Sequence, residues 1–239
     1  MNSYVHGDRR MFINTLSMCG AGILVMSGAT RVMIAQAKEG KGHKGERGEE
    51  IGPTEDLMRE HGVLNRVLLI YDTCIDRIEH RQDFKPDVVE NAATVIRRFV
   101  EDYHERQEEQ FLFPRFEKAG VLTDLVRVLK AQHEAGRSVT DRVMSLAKSR
   151  SADDRPRLAQ ALQQFVRMYR PHEAREDTVL FPELRKIVSA HEFGALGEQF
   201  ETNEHKQFGA DGFELYRDKV AELEKDLGIY DLAQFTPAH

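Results

Sequence analysis

The sequence predicts an all-α protein, an antiparallel four-helix bundle with extra helices at its C-terminal end. Apolar residues recur at helical spacing through four segments of about 25 residues each. Loops of only about 5 to 9 residues separate these segments, as is typical of antiparallel neighbours in a bundle. The β-branched alternation that marks strands is scarce, and the chain contains no Trp.

Capping residues and prolines set the bounds of the first two helices. The first helix begins after Pro53 at Thr54, carries acids in its first turn and runs to about Arg81. The second begins at Asp87 and reaches the residue before Pro114 or slightly beyond, because a proline at this point bends or ends a helix.

Similar signals bound the later helices. The third helix runs from Thr123 to about Ser149. Pro156 occupies a first-turn position of the fourth, which lasts to about Leu184, and Pro171 is expected to kink it. Two shorter helices are then expected over residues 190–207 and 211–227.

Length and charge restrict the class of protein. The chain has 239 residues, of which 31% are charged and 41% hydrophobic, a globular composition that fits one sizeable domain or at most two small ones. The formal net charge is -6, and no dense Lys/Arg stripe occurs. This charge argues against nucleic acid as a partner.

The N-terminal residues 1–37 resemble an export signal. Arg9 and Arg10 are followed by Met-Phe-Ile, as in twin-arginine signals, and residues 35–37 read Ala-Gln-Ala, a small-x-small cleavage form. Arg31 interrupts the apolar run, so a membrane span is not expected. A short amphipathic helix that stays attached is the alternative. We predict a signal peptide read by the twin-arginine export machinery and a mature protein in the bacterial periplasm.

The rest of the chain divides into three parts. Residues 38–53 are charged and Gly-rich and read as a flexible linker. Residues 54–187 form the predicted bundle, and residues 188–239 form a C-terminal helical extension. Cys19 lies in the signal and Cys74 is alone in the mature chain, which excludes an intramolecular disulfide after cleavage.

Four histidines, taken one from each of the four long helices, follow one another at intervals of 43, 29 and 39 residues. These histidines are His61, His104, His133 and His172. Glu108 and Glu176 follow the second and fourth of them by four residues, a spacing that puts both side chains on one helix face. The same faces carry apolar residues, so these groups are expected to point into the core. Buried imidazoles and carboxylates are costly unless they are paired or bind a metal.

The second and fourth helices repeat one motif, HERQEEQFLFP at 104–114 and HEAREDTVLFP at 172–182. A single His-x-x-x-Glu is usually a surface pair of little energetic value, and a lone core histidine usually hydrogen-bonds a neighbour. The repeat in both halves instead predicts a pseudo-two-fold site with three ligands from each half. Four imidazoles and two carboxylates suit two transition-metal ions with the carboxylates bridging them.

Four motifs carry a resemblance to a known family: REHGVLNRV at 59–67, YHERQEEQFLFP at 103–114, LKAQHEAG at 129–136 and RPHEAREDTVLFP at 170–182. They resemble the hemerythrin-like (HHE cation-binding) domain. The resemblance implies a non-heme di-iron site with an oxo or hydroxo bridge between the two irons. It implies nitrogen ligands from His61, His104, His133 and His172, and bridging carboxylates from Glu108 and Glu176.

One position departs from the oxygen-carrying members of that family, which have a fifth histidine where this chain has Arg137. Fewer protein ligands leave open positions for O2, NO or peroxide, and Gly136 is expected to leave room there. Two functions remain open: a protein that stores, carries or senses a small ligand, and an enzyme that reduces NO or peroxide with electrons from an external donor. We assign no catalytic residue and no further cofactor.

Rival sites and further candidates are weaker. A ferritin-like site needs two Glu-x-x-His motifs, and only the one ending at His104 occurs; a zinc hydrolase would need fewer ligands. His205, with Glu204, is a further candidate for the site or its surroundings. Three tyrosines could face a bound ligand or be core aromatics: Tyr71, Tyr103 and Tyr169. Three acids are expected to face water: Glu105, Glu109 and Glu173.

Overall fold

A computed structural model describes residues 51–85, 87–149, 151–209 and 211–237. Within these ranges the chain forms six helices and no strands, which confirms the all-α prediction. The predicted signal peptide and nearly all of the predicted linker lie outside the described residues. No described helix combines the length and the apolar character needed to cross a bilayer.

The six helices follow the predicted order closely. They are α1 (Pro53–Glu79), α2 (87–119), α3 (Thr123–Ser149), α4 (155–187), α5 (Ala190–Phe208) and α6 (Gly212–Leu227). Short 3₁₀ turns lie at Ala152–Asp154 and Leu232–Phe235. The bounds of α5 and α6 are set locally: Ser189 and Asp211 cap their N-terminal amides, and Gly209 ends α5 in the left-handed conformation.

Helices α2 and α4 contain wider π-helical turns beside the predicted ligands. In α2 these turns span Ile96–His104 and Glu108–Leu112, and in α4 the turn spans Glu176–Leu180. Such turns occur frequently at functional sites. Each Leu-Phe-Pro motif begins the α-helical segment that follows, Phe113–Ala119 or Phe181–Ile187. Helix α2 therefore continues five residues past Pro114, and the segment Arg155–Arg175 of α4 continues through Pro171 without interruption.

The four long helices pack in a ring, with α1 beside α2 and α4, and α3 beside α2 and α4. Helix α6 lies across α1 and α2. Arg66 of α1 holds α6 through paired hydrogen bonds of 2.9 and 2.5 Å to the carboxylate of Glu224. Arg77 adds a hydrogen bond to the carbonyl of Leu227. The C-terminal helices are thus packed onto the bundle.

The apolar core consists of two clusters. One is built from residues such as Leu68, Phe99 and Phe165. The other is built from residues such as Phe113 and Phe181. Along each long helix, the predicted ligands fall between the residues of the two clusters. The bundle therefore contains one polar layer between two apolar layers, and this layer is the candidate site.

Candidate metal centre

All six predicted ligands converge in the polar layer, and each is at most 4% exposed. They form two groups of three whose ligand atoms lie within 4.8 Å of one another. We call them the first position (His61, His104 and Glu108) and the second position (His133, His172 and Glu176). Each position draws its imidazoles from two neighbouring helices, α1 and α2 or α3 and α4.

The two carboxylates face both positions. Glu108 Oε2 lies 3.8 Å from His104 Nε2 and 3.5 Å from His133 Nε2. Glu176 Oε2 lies 3.2 Å from His172 Nε2 and 3.5 Å from His61 Nε2. Each carboxylate thus contacts one imidazole of its own group and one of the other group. This is the placement that bridging two cations requires.

At the first position, the outer nitrogens of both imidazoles donate to carboxylates. His61 Nδ1 donates to Asp177 Oδ1 at 2.7 Å, and His104 Nδ1 donates to Glu60 Oε2 at 2.7 Å. A carboxylate only accepts, so each Nδ1 carries a proton and each Nε2 faces the centre. Burial lowers the pKa of His61, but Asp177 and Glu176 outweigh it and raise this pKa to about 10, so a metal ion at His61 Nε2 would displace a proton. An imidazole held by an outer carboxylate in this way is typical of metal-ligating histidines.

The second position has the same outer arrangement with different acceptors. His133 Nδ1 donates to Glu109 Oε1 at 3.1 Å, and His172 Nδ1 donates to the amide oxygen of Gln132 at 2.9 Å. The two inner nitrogens, His133 Nε2 and His172 Nε2, then lie 3.2 Å apart. That contact is repulsive unless a proton or a metal ion lies between the nitrogens.

The donor set fits a cation on two further grounds. Outside the imidazoles of the cluster, no donor of the described chain bonds the four carboxylate oxygens of Glu108 and Glu176. A fully buried carboxylate with so few donors is costly, and a metal ion removes that cost. Imidazole nitrogens and carboxylate oxygens are also the ligands that first-row transition metals take. The residues present therefore fit a metal centre.

The protonation of these side chains points the same way. Burial raises the pKa of Glu108 well above its ordinary value, and the charge of Glu176 raises it further. Burial acts on Glu176 in the same direction, but His172 and His61 outweigh it and hold the pKa of Glu176 well below its ordinary value. Burial lowers the pKa of His104 well below its ordinary value, and a charge on His61 lowers it further. Imidazoles and carboxyl groups bind a metal ion only after losing their protons, so cations and protons compete for this cluster.

The outer acceptors follow the pseudo-two-fold repeat. Glu60 and Gln132, which precede the first histidine of each half, accept from the second histidine of the same half. Asp177 and Glu109, which follow the bridging carboxylates, accept from the first histidine of the opposite half. The sequence analysis placed Glu109 facing water and assigned Asp177 no role. No local signal marked Glu60 or Gln132 beyond adjacency to a histidine.

Two of the acids expected to face water are buried, and the third is largely buried. Glu105 is 1% exposed and accepts hydrogen bonds from Tyr169 Oη at 2.6 Å and Arg137 at 2.7 Å. Glu173 is 4% exposed and accepts from Asn65 Nδ2 at 3.0 Å. The side chain of Glu109 is 17% exposed. The expectation was wrong because the partners of these acids lie on other helices, which a single-helix pattern does not reveal.

Neither Arg137 nor Gly136 leaves open space beside the site: Arg137 balances charge, and Gly136 packs against an aromatic ring. Glu105 and Glu109 lie close to His133 and form a third cluster of titratable side chains beside the two positions. Arg137 donates to both glutamates and so counters their negative charge. A side-chain carbon at Gly136 would meet the Tyr169 hydroxyl at 2.1 Å. Tyr169 therefore fills the room that the glycine was expected to leave.

The remaining candidates are His205, Glu204, Tyr71 and Tyr103. His205 is exposed on α5 and its Nδ1 bonds the carbonyl of Glu201 at 2.9 Å. Glu204 is buried but accepts from the backbone amide of Phe213 at 2.8 Å. Tyr71 packs edge-on against Phe165 with ring centres 5.6 Å apart, as a core aromatic would. Tyr103 is likewise buried in the core.

The fold and the site together define a helix-bundle protein with a buried His/Glu cluster that could hold a cation. Residues 52–184 match the hemerythrin HHE cation binding domain, and the chain belongs to this family. Uncharacterized proteins of Mycobacterium bovis and Mycobacterium tuberculosis are each 46% identical to it over 235 residues, covering 96% of this chain and 91% of the relative. No solved structure matches the chain.

Proposed function

We propose that this protein is a non-heme di-iron protein that binds O2, NO or peroxide at the two positions described above. The observation that carries the proposal is the placement of Glu108 and Glu176, each of which contacts an imidazole of both positions. His61 and His104 would hold one ion, His133 and His172 would hold the other, and Glu108 and Glu176 would serve both. This arrangement exceeds what a single tetrahedral zinc ion needs. Two iron ions would supply redox chemistry and open coordination positions for a small ligand.

The chain around the site protects and orients it. The two apolar clusters lie on either side of the polar layer, so bulk water is kept from the imidazoles and carboxylates. The four outer hydrogen bonds hold every imidazole with Nε2 facing inward. Arg137, which stands where oxygen carriers of this family have a fifth histidine, donates to Glu105 and Glu109.

The alternative function is reduction of NO or peroxide, and one feature favours it. Burial raises the pKa of Glu105 to about 7, so this carboxyl group carries a proton near neutral pH. Glu105 is hydrogen-bonded to Tyr169, whose ring lies 5.3 Å from that of His172. Conversion of two NO to N2O and water takes two electrons and two protons. Glu105 would supply a proton, and an external partner would supply the electrons.

Metal analysis with optical spectroscopy tests the proposal. We expect about two irons per chain and bands of a bridged di-iron centre that change when O2 or NO is added to the reduced protein. His104→Ala and Glu176→Ala should each lower the metal content sharply, whereas His205→Ala should not. Full metal retention in both site variants would refute the assignment. A stable reversible adduct indicates a binding protein, and turnover with an electron donor indicates the reductase.

We also propose export of the folded, metal-loaded protein to the bacterial periplasm. The support comes from the sequence alone, because residues 1–37 lie outside the described residues. It consists of the Arg9–Arg10 pair and the Ala-Gln-Ala sequence at 35–37. Loading before export would determine which metal is installed. Cell fractionation after replacing Arg9 and Arg10 by Lys tests this, and unchanged export would contradict it.

A further inference from the structure

We propose that the two metal positions are chemically unequal, with the first position binding its metal more tightly than the second. The proposal rests on the proposed two-metal site. It concerns the residues that hold the outer nitrogens of the histidines, and it assigns Gln132 and Arg137 the role of weakening the second position.

The first position has two strong acceptors. His61 and His104 both donate to carboxylates, Asp177 and Glu60, and both hydrogen bonds are 2.7 Å long. A carboxylate that accepts from Nδ1 draws the proton away from the ring and makes Nε2 a better electron donor. Both imidazoles of the first position therefore gain in basicity.

The second position has a neutral acceptor in place of one carboxylate. His172 donates to the amide oxygen of Gln132 at 2.9 Å, where the equivalent donor, His104, meets the charged Glu60 at 2.7 Å. An amide oxygen carries less negative charge than a carboxylate and polarises the imidazole less. His172 is thus the weaker of the two equivalent ligands.

The other acceptor of the second position is shared. Glu109 Oε1 accepts from His133 at 3.1 Å and from Arg137 at 2.6 Å, and its other oxygen accepts from Arg106 at 2.8 Å. Two guanidinium groups therefore reduce the negative charge that His133 meets. In the other half of the repeat, the residue equivalent to Arg137 is Asn65. Asn65 is neutral and donates to Glu173, so it does not reduce the charge of Asp177.

The inner carboxylates do not compensate for this difference. Glu108 and Glu176 each contact two imidazoles, one at each position, so the two ions would share their negative charge. The two positions differ because Gln132 replaces Glu60 at one equivalent place of the repeat and Arg137 replaces Asn65 at the other. Loss of an outer hydrogen-bond partner typically changes metal affinity by roughly 10- to 100-fold. We expect a difference of that order between the two positions.

Titration of the metal-free full-length protein with Co²⁺ against a competing chelator tests the inference. Wild type should bind in two steps whose dissociation constants differ by roughly 10- to 100-fold. Gln132→Glu should strengthen the second step and bring the two together, whereas Glu60→Gln should weaken the first. Gln160→Glu is the matched control for added charge, because this glutamine is exposed on α4 and lies three turns from His172.

The outcomes separate this inference from the proposed function. Two equivalents bound in steps within threefold of each other, or no effect of Gln132→Glu on the second step, would overturn the inequality and leave the two-metal site standing. Failure to bind two equivalents would refute the two-metal proposal itself. Should Glu60→Gln not fold by circular dichroism, Asp177→Asn replaces it, because the side chain of Asp177 is 33% exposed and tolerates change better. This variant should likewise weaken the first step only.

Discussion

Replacement of Gly136 by Ala should destabilise the protein by about 2 kcal/mol. The added carbon would lie 2.1 Å from Tyr169 Oη, 2.9 Å from its Cζ and 3.0 Å from its Cε2. The ring is only 1% exposed and is packed on Phe165 with ring centres 4.2 Å apart, so it has little room to move. Overpacking of this kind costs about 1–3 kcal/mol.

Two further effects change the stability of the Gly136→Ala variant, one unfavourable and one favourable. Moving the ring stretches the 2.6 Å hydrogen bond from Tyr169 to Glu105, and such a hydrogen bond contributes about 0.5–1.5 kcal/mol. Alanine gains about 1 kcal/mol over glycine in helix propensity. The net loss is therefore about 2 kcal/mol, with the exact value depending on how far α3 and α4 can separate.

Urea unfolding followed by far-ultraviolet circular dichroism measures this loss, with EDTA present because a bound metal would add its own stabilisation. Gly62→Ala is the matched control. Gly62 follows His61 on an exposed part of α1 and has nothing within 4 Å of an added carbon, so this change should stabilise by roughly 0.5–1 kcal/mol. Adding Tyr169→Phe to Gly136→Ala should recover part of the loss, because it removes the closest atom. Equal stability of the two alanine variants would refute the reasoning.

Three further predictions concern pH, the C-terminal helices and the metal. Burial raises the pKa of Glu101 to about 7 from an ordinary 4.5, so folding favours the protonated carboxyl group. The stability that protonated Glu101 contributes is fully present below pH 4.5 and is lost as the pH rises through 7. The loss amounts to roughly 3 kcal/mol at most. Glu101→Gln should remove that part of the pH dependence, seen as urea midpoints at pH 5 and pH 8; an unaltered dependence would contradict the assignment. Glu224→Gln weakens the paired hydrogen bonds from Arg66, and should cost about 1–3 kcal/mol and speed proteolysis of α6, whereas Glu222→Gln, an exposed neighbour, should do neither. Chelation should lower the melting temperature, since the metal binds the folded chain, and an unchanged melting temperature would indicate that no metal contributes to the fold.

The helices and the six convergent side chains could be predicted because their signals are local. Thr123–Ser149 was predicted at both ends, and α5 and α6 within one residue, since caps and glycines act within a turn. The i, i+4 spacing put Glu108 and Glu176 on the faces of their histidines. The structure brings these residues together; their role as metal ligands remains a prediction.

Other features could not be predicted because they depend on neighbouring helices or on rare turns. The second helix was predicted to reach the residue before Pro114 or slightly beyond; its full extension to Ala119 accompanies the π-helical turn at Glu108–Leu112, whose wider hydrogen bonding a proline rule does not include. The burial of Glu105 depends on Arg137 of α3 and Tyr169 of α4. Its own helix gives no sign of either partner.

By itself, the sequence determined the helical period, the helix ends and the inward-facing His/Glu pattern, because each follows from contacts within one or two turns of one chain segment. Only the tertiary structure decided which acceptor each imidazole meets. Glu60, Gln132, Glu109 and Asp177 each bond a histidine on a different helix, and those pairings exist only once the four helices are packed. The charge balance around the two positions is therefore a property of the packing, since a hydrogen bond between helices requires both to be in place.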